Sequence, residues 1–319
     1  MKKLLRIVGI AFFAIVVLLF IVFLFINVRG IPTYETKVVN HTVVSTPESI
    51  QRGKKLASML CASCHKNPET GKLTGKHMLD GPAEFGEIHS LNITQDKTYG
   101  IGDWTDGEII YLLRTGIRKN GAYAPPYMAK LPNMADEDID AIVSFLRSDD
   151  PMVTADPTPD PETKPSFLTK FLCNFAFKPF PMPENSIPLP DTTNEVALGK
   201  YLAQNLDCYT CHSADFKSND YLKPEKSIGY FGGGNKLPNE QRVIMVTPNL
   251  TPDKETGIGN WSKEKFVKAV RFGIIEGQEA TRYPMIPYTQ LTNKEVGAIY
   301  EYLRTIPPIN NKVERSVIE

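Results

Sequence analysis

Residues 92–147 align with residues 249–304 without a gap, at a constant offset of 157. Gly100-Ile101-Gly102 falls on Gly257-Ile258-Gly259, Trp104 on Trp261, Arg114 on Arg271, Gly116 on Gly273, and Leu146-Arg147 on Leu303-Arg304. Self-similarity on this scale means a duplicated domain, so both halves must satisfy one fold. Upstream of each repeat stands one pentad, Cys61-Ala62-Ser63-Cys64-His65 and Cys208-Tyr209-Thr210-Cys211-His212. The pentads differ by 147, so the second half carries ten extra residues between pentad and repeat.

The pentad spacing has a chemical reason. Two thiols three positions apart lie near one face of a helical turn and reach the two vinyl groups of one haem, with the adjacent His aimed at the iron. A closed zinc site needs four ligands, and neither half supplies a second pair at related spacing. A thioredoxin-like motif belongs beside a βαβ pattern, which this sequence does not show. The spacing therefore predicts two covalently bound haem c groups. Cys61, Cys64, Cys208 and Cys211 are the expected thioether anchors, and His65 and His212 the proximal iron ligands. Only 5 Cys in 319 residues rules out a disulfide scaffold. The fifth, Cys173, sits on an apolar stretch and reads as a buried, inert thiol.

Met128 and Met285 occupy equivalent positions, 63 and 73 residues after their His. Both lie in Pro-rich stretches, Ala124-Pro125-Pro126-Tyr127-Met128 and Tyr283-Pro284-Met285-Ile286-Pro287. Such a loop can carry a thioether to the face opposite the His, so both are the expected sixth ligands. Met134 falls on Leu291, and Met78 and Met245 find no partner Met. Met59, Met152 and Met182 read as packing. His41, His77 and His89 lack His partners in the second half and read as surface or packing residues.

Outside the repeats the chain divides plainly. Ile7–Ile26 carries no charge and follows Lys2, Lys3 and Arg6. A helix over Ile7–Val28 is about 33 Å long, enough for a hydrocarbon core of about 30 Å. It reads as an uncleaved anchor with its basic end in the cytoplasm. The expected units are a transmembrane anchor (1–28), a tether (29–46), domain 1 (47–150), a linker (151–190), domain 2 (191–310) and a tail (311–319). The linker holds 10 of the chain's 25 prolines and reads as stiff and extended. Inside it, Phe167–Phe177 is apolar enough that it should pack against one or both domains.

Each half reads as helical, giving an all-α fold. Gly53 and Gly199 recur in the helices leading to the pentads. A mid-helix glycine costs about 1 kcal/mol, so its repetition implies a close helix crossing. The expected partners are Glu137–Arg147 and Lys294–Arg304, which bring Phe145 and Tyr302 to matched positions. Thr105–Glu108 and Thr292–Glu295 look like capping boxes. Lys+Arg and Asp+Glu balance at 36 each, which leaves no basic face for nucleic acid.

This pattern resembles class I c-type cytochromes. The Asn249-Leu250-Thr251-Pro252-Asp253-Lys254 segment through Gly257-Ile258-Gly259-Asn260-Trp261-Ser262, with Tyr283-Pro284-Met285, is similar to the cytochrome c subunits of membrane-bound alcohol and gluconate dehydrogenases. Those subunits usually carry three haem domains, whereas two pentads stand here. The resemblance implies two tandem class I domains behind the anchor. It also implies a proline carbonyl holding the proximal His. Pro82 is placed to do this for His65, and the second half, with Gly232-Gly233-Gly234, shows no obvious equivalent. Trp104 and Trp261 are core aromatics or indole donors to a haem propionate.

The expected function is electron transfer by a membrane-anchored dihaem cytochrome c, without independent catalysis. A His/Met pair fills the iron's positions, and a neutral thioether raises its potential. The donor would be a dehydrogenase or a quinol-oxidising complex, and the acceptor a respiratory one such as a terminal oxidase. The single-pass anchor would sit in the inner membrane, with the haem domains on the periplasmic side. The alternative is a dihaem enzyme of the peroxidase or thiosulfate-oxidising type with one switchable iron, for which His89 and Cys173 are the available ligands.

Overall fold

The computed structural model describes residues 1–79, 81–239, 241, 243–277 and 279–314, so positions 315–319 of the expected tail lie outside the described residues. It begins with one long helix, α1 (Lys2–Arg29), whose apolar flank is exposed along its length. The first domain follows with α2 (Pro47–Leu60), α3 (Ala62–His65), α4 (Asp106–Thr115) and α5 (Asp136–Leu146). The connector contributes α6 (Phe167–Phe175). The second domain repeats the set with α7 (Glu195–Asn205), α8 (Cys208–His212), α9 (Lys263–Phe272) and α10 (Asn293–Leu303). The chain is thus mostly α. Among the described residues its strands form two short antiparallel ribbons, β1 (Gly86–Glu87) with β2 (Lys164–Pro165), and β3 (Lys236–Pro238) with β4 (Ile244–Val246).

Local signals start and stop these helices at matched places. Thr105 and Glu108 form the capping box of α4, and Thr292 and Glu295 that of α10. Gly116 and Gly273 end α4 and α9 at φ 83° and 71°, a left-handed conformation that glycine adopts without strain. The α2–α5 and α7–α10 pairs form the centre of each domain. A Cβ on Gly53 would sit 1.8 Å from the Ala141 carbonyl oxygen and 2.9 Å from the Phe145 Cβ. On Gly199 it would sit 1.9 Å from the Ala298 carbonyl oxygen and 2.9 Å from the Tyr302 Cβ. The two crossings are one construction, and Phe145, Ile142, Val296 and Leu303 are buried behind them. Each such side chain stabilises the fold by about 1.5–3 kcal/mol.

Two connecting segments lie along the first domain. The tether lies against domain 1: Tyr34 N–H donates to the Gly121 carbonyl (2.8 Å), and the Val43 amide donates to Asp106 Oδ2 (3.0 Å). The Pro-rich connector also follows domain 1, and its apolar part, as α6, packs there, with Thr169 Oγ1 donating to the Phe85 carbonyl (2.8 Å). Leu73 N–H donates to the Met152 carbonyl (2.8 Å), Gln95 N–H to Val153 (2.9 Å), and Phe180 N–H to Thr115 (3.1 Å). Prolines stiffen these stretches but leave their carbonyls and neighbouring amides free to pair with domain loops. The two domains meet through Lys55 Nζ and Glu295 Oε1 (2.6 Å), and through Tyr201, whose hydroxyl accepts from Ala135 N–H (3.1 Å) and donates to Asp138 (2.5 Å).

Candidate haem centres

In the second domain, α7 hands the chain to α8 through Asp207, which turns the backbone at φ 61°. His212 is buried, and its Nδ1 lies 3.0 Å from the Pro248 carbonyl oxygen. A carbonyl only accepts, so Nδ1 carries the hydrogen and Nε2 keeps its lone pair for a metal. Burial pushes the His212 pKa down, which keeps the ring neutral and able to ligate. Cys208, Cys211, His212, Phe231, Met285 and Leu303 line one cavity of about 600 Å³. That volume lies in the range of small-molecule and cofactor sites. The Met285 amide donates to the Arg282 carbonyl (3.0 Å), which fixes its turn. Met245, on β4, also lines this cavity.

The first domain repeats the bonds that hold the His and the Met. His65 Nδ1 donates to the Leu91 carbonyl (2.7 Å). The Met128 amide donates to the Pro125 carbonyl (3.0 Å), the same bond at the same repeat position. Burial again lowers the His65 pKa, and the Arg118 guanidinium adds to the effect. Arg118 falls on Ile275 in the second half, so the two sites differ in local charge. Burial pushes the Cys61, Cys208 and Cys211 thiols up to about 12, opposite to the shift a reactive thiolate needs.

The expected role of Pro82 is therefore corrected. Pro82 precedes a short 3₁₀ turn, Ala83–Phe85, and the carbonyl on His65 belongs to Leu91. The second half does have its equivalent, Pro248, one residue before Asn249 just as Leu91 is one before Asn92. Gly75 and Gly233 close this cradle. Their amides donate to the carbonyls of His65 (2.8 Å) and His212 (2.7 Å). Cβ atoms on them would lie 2.2 Å from the Ser90 carbonyl oxygen and 2.5 Å from the Pro248 carbonyl carbon. Only glycine permits so close an approach.

Other residues hold the same parts. The Asn92 side-chain amide donates to the Asp156 and Thr158 carbonyls (2.9 Å each), and that of Asn249 to the Ile309 carbonyl (2.7 Å). The chain leaving each domain is thereby tied to the segment that orients the His. Arg114, almost fully buried, donates to the Leu131 carbonyl (2.9 Å) and to Asp136 (2.6 Å), which fixes the end of the Met128 loop. The repeat marked Arg114 and the Asn-x-Thr segments, and their roles needed the folded geometry.

The sequence model of the Cytochrome c family matches residues 50–149 and 196–307. The chain belongs to the cytochrome c family. The cytochrome carries covalently bound haem c, one group for each of its two domains. It is similar to the fructose dehydrogenase cytochrome subunit of Gluconobacter japonicus, with 31% identity over 88% of this chain and 56% of that protein. It resembles the cytochrome c subunit of a quinone-type alcohol dehydrogenase from Gluconacetobacter polyoxogenes at 28%, covering 84% of this chain and 58% of that one. The gluconate 2-dehydrogenase cytochrome c subunit of Pantoea cypripedii matches at 27%, over 81% and 59%. The cytochrome spans a little over half the length of these relatives.

The remaining sequence candidates fall elsewhere in the cytochrome. His41 Nε2 pairs with Asp140 at 2.9 Å on the exposed flank of α5. His77 and His89 stack with ring centroids 4.6 Å apart, across an antiparallel bridge. Cys173 is fully buried on α6, and burial pushes its thiol up to about 11, consistent with an inert role. Met59 is core, and Met152, Met182, Trp104 and Trp261 pack at the edge of the core.

Proposed function

We propose that this cytochrome is an electron-transfer subunit. It would take electrons from a membrane dehydrogenase or quinol-side donor and hand them to a respiratory acceptor such as a terminal oxidase. Domain 1 (47–150) and domain 2 (191–310) would each hold one haem. Cys61, Cys64, Cys208 and Cys211 are the thioether anchors, His65 and His212 the proximal ligands, and Met128 and Met285 the distal ones. When bound, haem supplies the one-electron ferric/ferrous couple. The chain's part is to hold each His on a fixed carbonyl, present each Met on a tied turn, and exclude water from the pocket.

The observation that carries this reading is the equivalence of the two centres. Both use the same His-to-carbonyl bond and the same Met turn, which suits a relay through two similar stations. The domain contact supports passage between them. The Met128 loop approaches the second pentad, and the Asn133 side chain donates to the Tyr221 carbonyl (2.9 Å) beside Tyr209. The names of the relatives support a dehydrogenase as donor. Helix α1 is long and apolar enough to cross a membrane. With Lys2, Lys3 and Arg6 at one end, it would cross the inner membrane once and leave the haem domains on the periplasmic side.

The test is optical. Met128→Ala and Met285→Ala should each remove the Met-to-ferric-iron absorption of one haem, while Met245→Ala keeps both. Retention of both bands in the Met128 and Met285 variants would sink the ligand assignment. Co-purification of the full chain from membranes should bring a dehydrogenase with it.

A further inference from the structure

Helix α6 has two faces of different character. Thr169 and Cys173 are buried against domain 1, and Thr169 Oγ1 donates to the Phe85 carbonyl (2.8 Å). The other face bares Phe167 (39% exposed), Leu168 (40%), Phe171 (37%) and Phe175 (56%). The rings run as a ladder, with centroids 6.2 Å apart from Phe167 to Phe171 and 5.0 Å from Phe171 to Phe175. The ladder continues into α1, where Phe23 lies 5.0 Å from Phe167. The Asn174 side chain donates to the Gly30 carbonyl (2.9 Å), pinning α6 to the end of α1.

Depth follows from α1. Phe23 lies six residues before Arg29, the last residue of α1, or about 9 Å along the helix axis. Phe167 meets Phe23 and Asn174 meets Gly30, so α6 runs alongside the last turns of α1 with Phe167 at its deeper end, within the depth of about 5–10 Å that interfacial apolar side chains reach. Lys170 and Lys178 flank the ladder, suited to anionic headgroups, while Lys164 pairs with Glu87 at 3.7 Å.

We propose that the Phe167–Phe175 face of α6 enters the headgroup–acyl boundary of the bilayer that α1 crosses. The first haem domain is then held at the membrane surface by two attachments instead of swinging on one. This rests on the reading of α1 as a membrane span, and the test separates the two. The haem-loaded full chain, spin-labelled at Phe175→Cys, is reconstituted into phosphatidylcholine/phosphatidylglycerol vesicles. Labels at Leu18→Cys and Glu276→Cys are the references. The label at 175 should be relaxed more by oxygen than by a water-soluble nickel chelate, and the label at 276 the reverse. Equal nickel accessibility at 175 and 276, with 18 at acyl depth, would overturn the role of α6 alone. Failure of 18 to show acyl depth would overturn the span itself. Shielding of 175 from both reagents would mean that protein covers the face, and would also overturn the proposal.

A second site stands on separate observations. His77, Glu87 and His89 place one donor atom each within 4.8 Å of one another. The bridge between His77 and His89 puts both rings on one side of the ribbon, and His89 Nδ1 is buried without a hydrogen-bond partner. Tetrahedral zinc holds its donors about 3.3 Å apart, so a small convergence completes the set, with water as fourth ligand. We infer that these residues bind a borderline divalent cation of the zinc or copper type. Calorimetric titration of the haem-loaded full chain with zinc chloride should show one site, weakened at least tenfold by His77→Ala and by Glu87→Gln. Unchanged affinity and stoichiometry in the His77→Ala/His89→Ala double variant, or absence of binding to the unmodified chain, would overturn it.

Discussion

The carbonyl oxygen of Ala141 lies where a side chain on Gly53 would begin, 1.8 Å from an ideal Cβ. Backbone oxygen cannot yield as a flexible side chain can, so Gly53→Ala must push α2 and α5 apart. The expected cost is about 3 kcal/mol or more, against a helix-propensity gain of about 1 kcal/mol. Denaturant unfolding followed by circular dichroism should show a lower midpoint, and Gly199→Ala should do the same for the second domain. An unchanged midpoint would mean that the crossing accepts a methyl group without moving.

Gly233→Ala should act on the second centre through its ligand. The added methyl displaces the Pro248 carbonyl, which weakens the bond from His212 Nδ1. A less polarised imidazole donates less to iron and stabilises the ferric state less. One of two voltammetric waves should move to higher potential, and the other should stay.

Arg118 marks the first centre. Its charge lies close enough to His65 to depress that ring's pKa, and it disfavours a further positive charge at the iron. Arg118→Met should therefore lower the potential of the first haem by something on the order of tens of millivolts. A shift in the second wave instead would assign the charge to the wrong site.

Asp207 gives the second domain a pH dependence. Burial pushes its carboxyl up to about 6 from an ordinary 3.8, opposed in part by its bond to Thr210. Between these values the folded chain keeps a proton that the unfolded chain has lost. Stability is thus fully present below about pH 4 and falls as pH rises through about 6. With its partly exposed side chain the loss should be about 1–2 kcal/mol, less than two full pKa units would give. Asp207→Asn should flatten the difference between unfolding midpoints at pH 4.5 and 7.5. A slope equal to that of the unmodified chain would remove Asp207 as its source.

The duplication, the pentads and the matched Met128 and Met285 were legible because they are strings of residues at fixed spacing. Gly53 and Gly199 were legible because a costly residue occurred twice at one helical position. The proximal carbonyls were not legible. A backbone oxygen belongs to every residue, so the type of side chain, which suggested Pro82, carries no information about which loop returns to the His.

Residue chemistry alone settles that two haem-binding units stand behind an apolar helix, since thiol spacing, periodicity and hydropathy are local. Folding settles which carbonyl meets each His, where Arg118 and Asp207 put their charges, and that tether and connector lie along domain 1. It also settles that α6 meets the end of α1. These depend on contacts between residues as far apart as Gly30 and Asn174. Such contacts are set by the closing of backbone hydrogen bonds and packed surfaces in three dimensions, and no spacing along the chain encodes them.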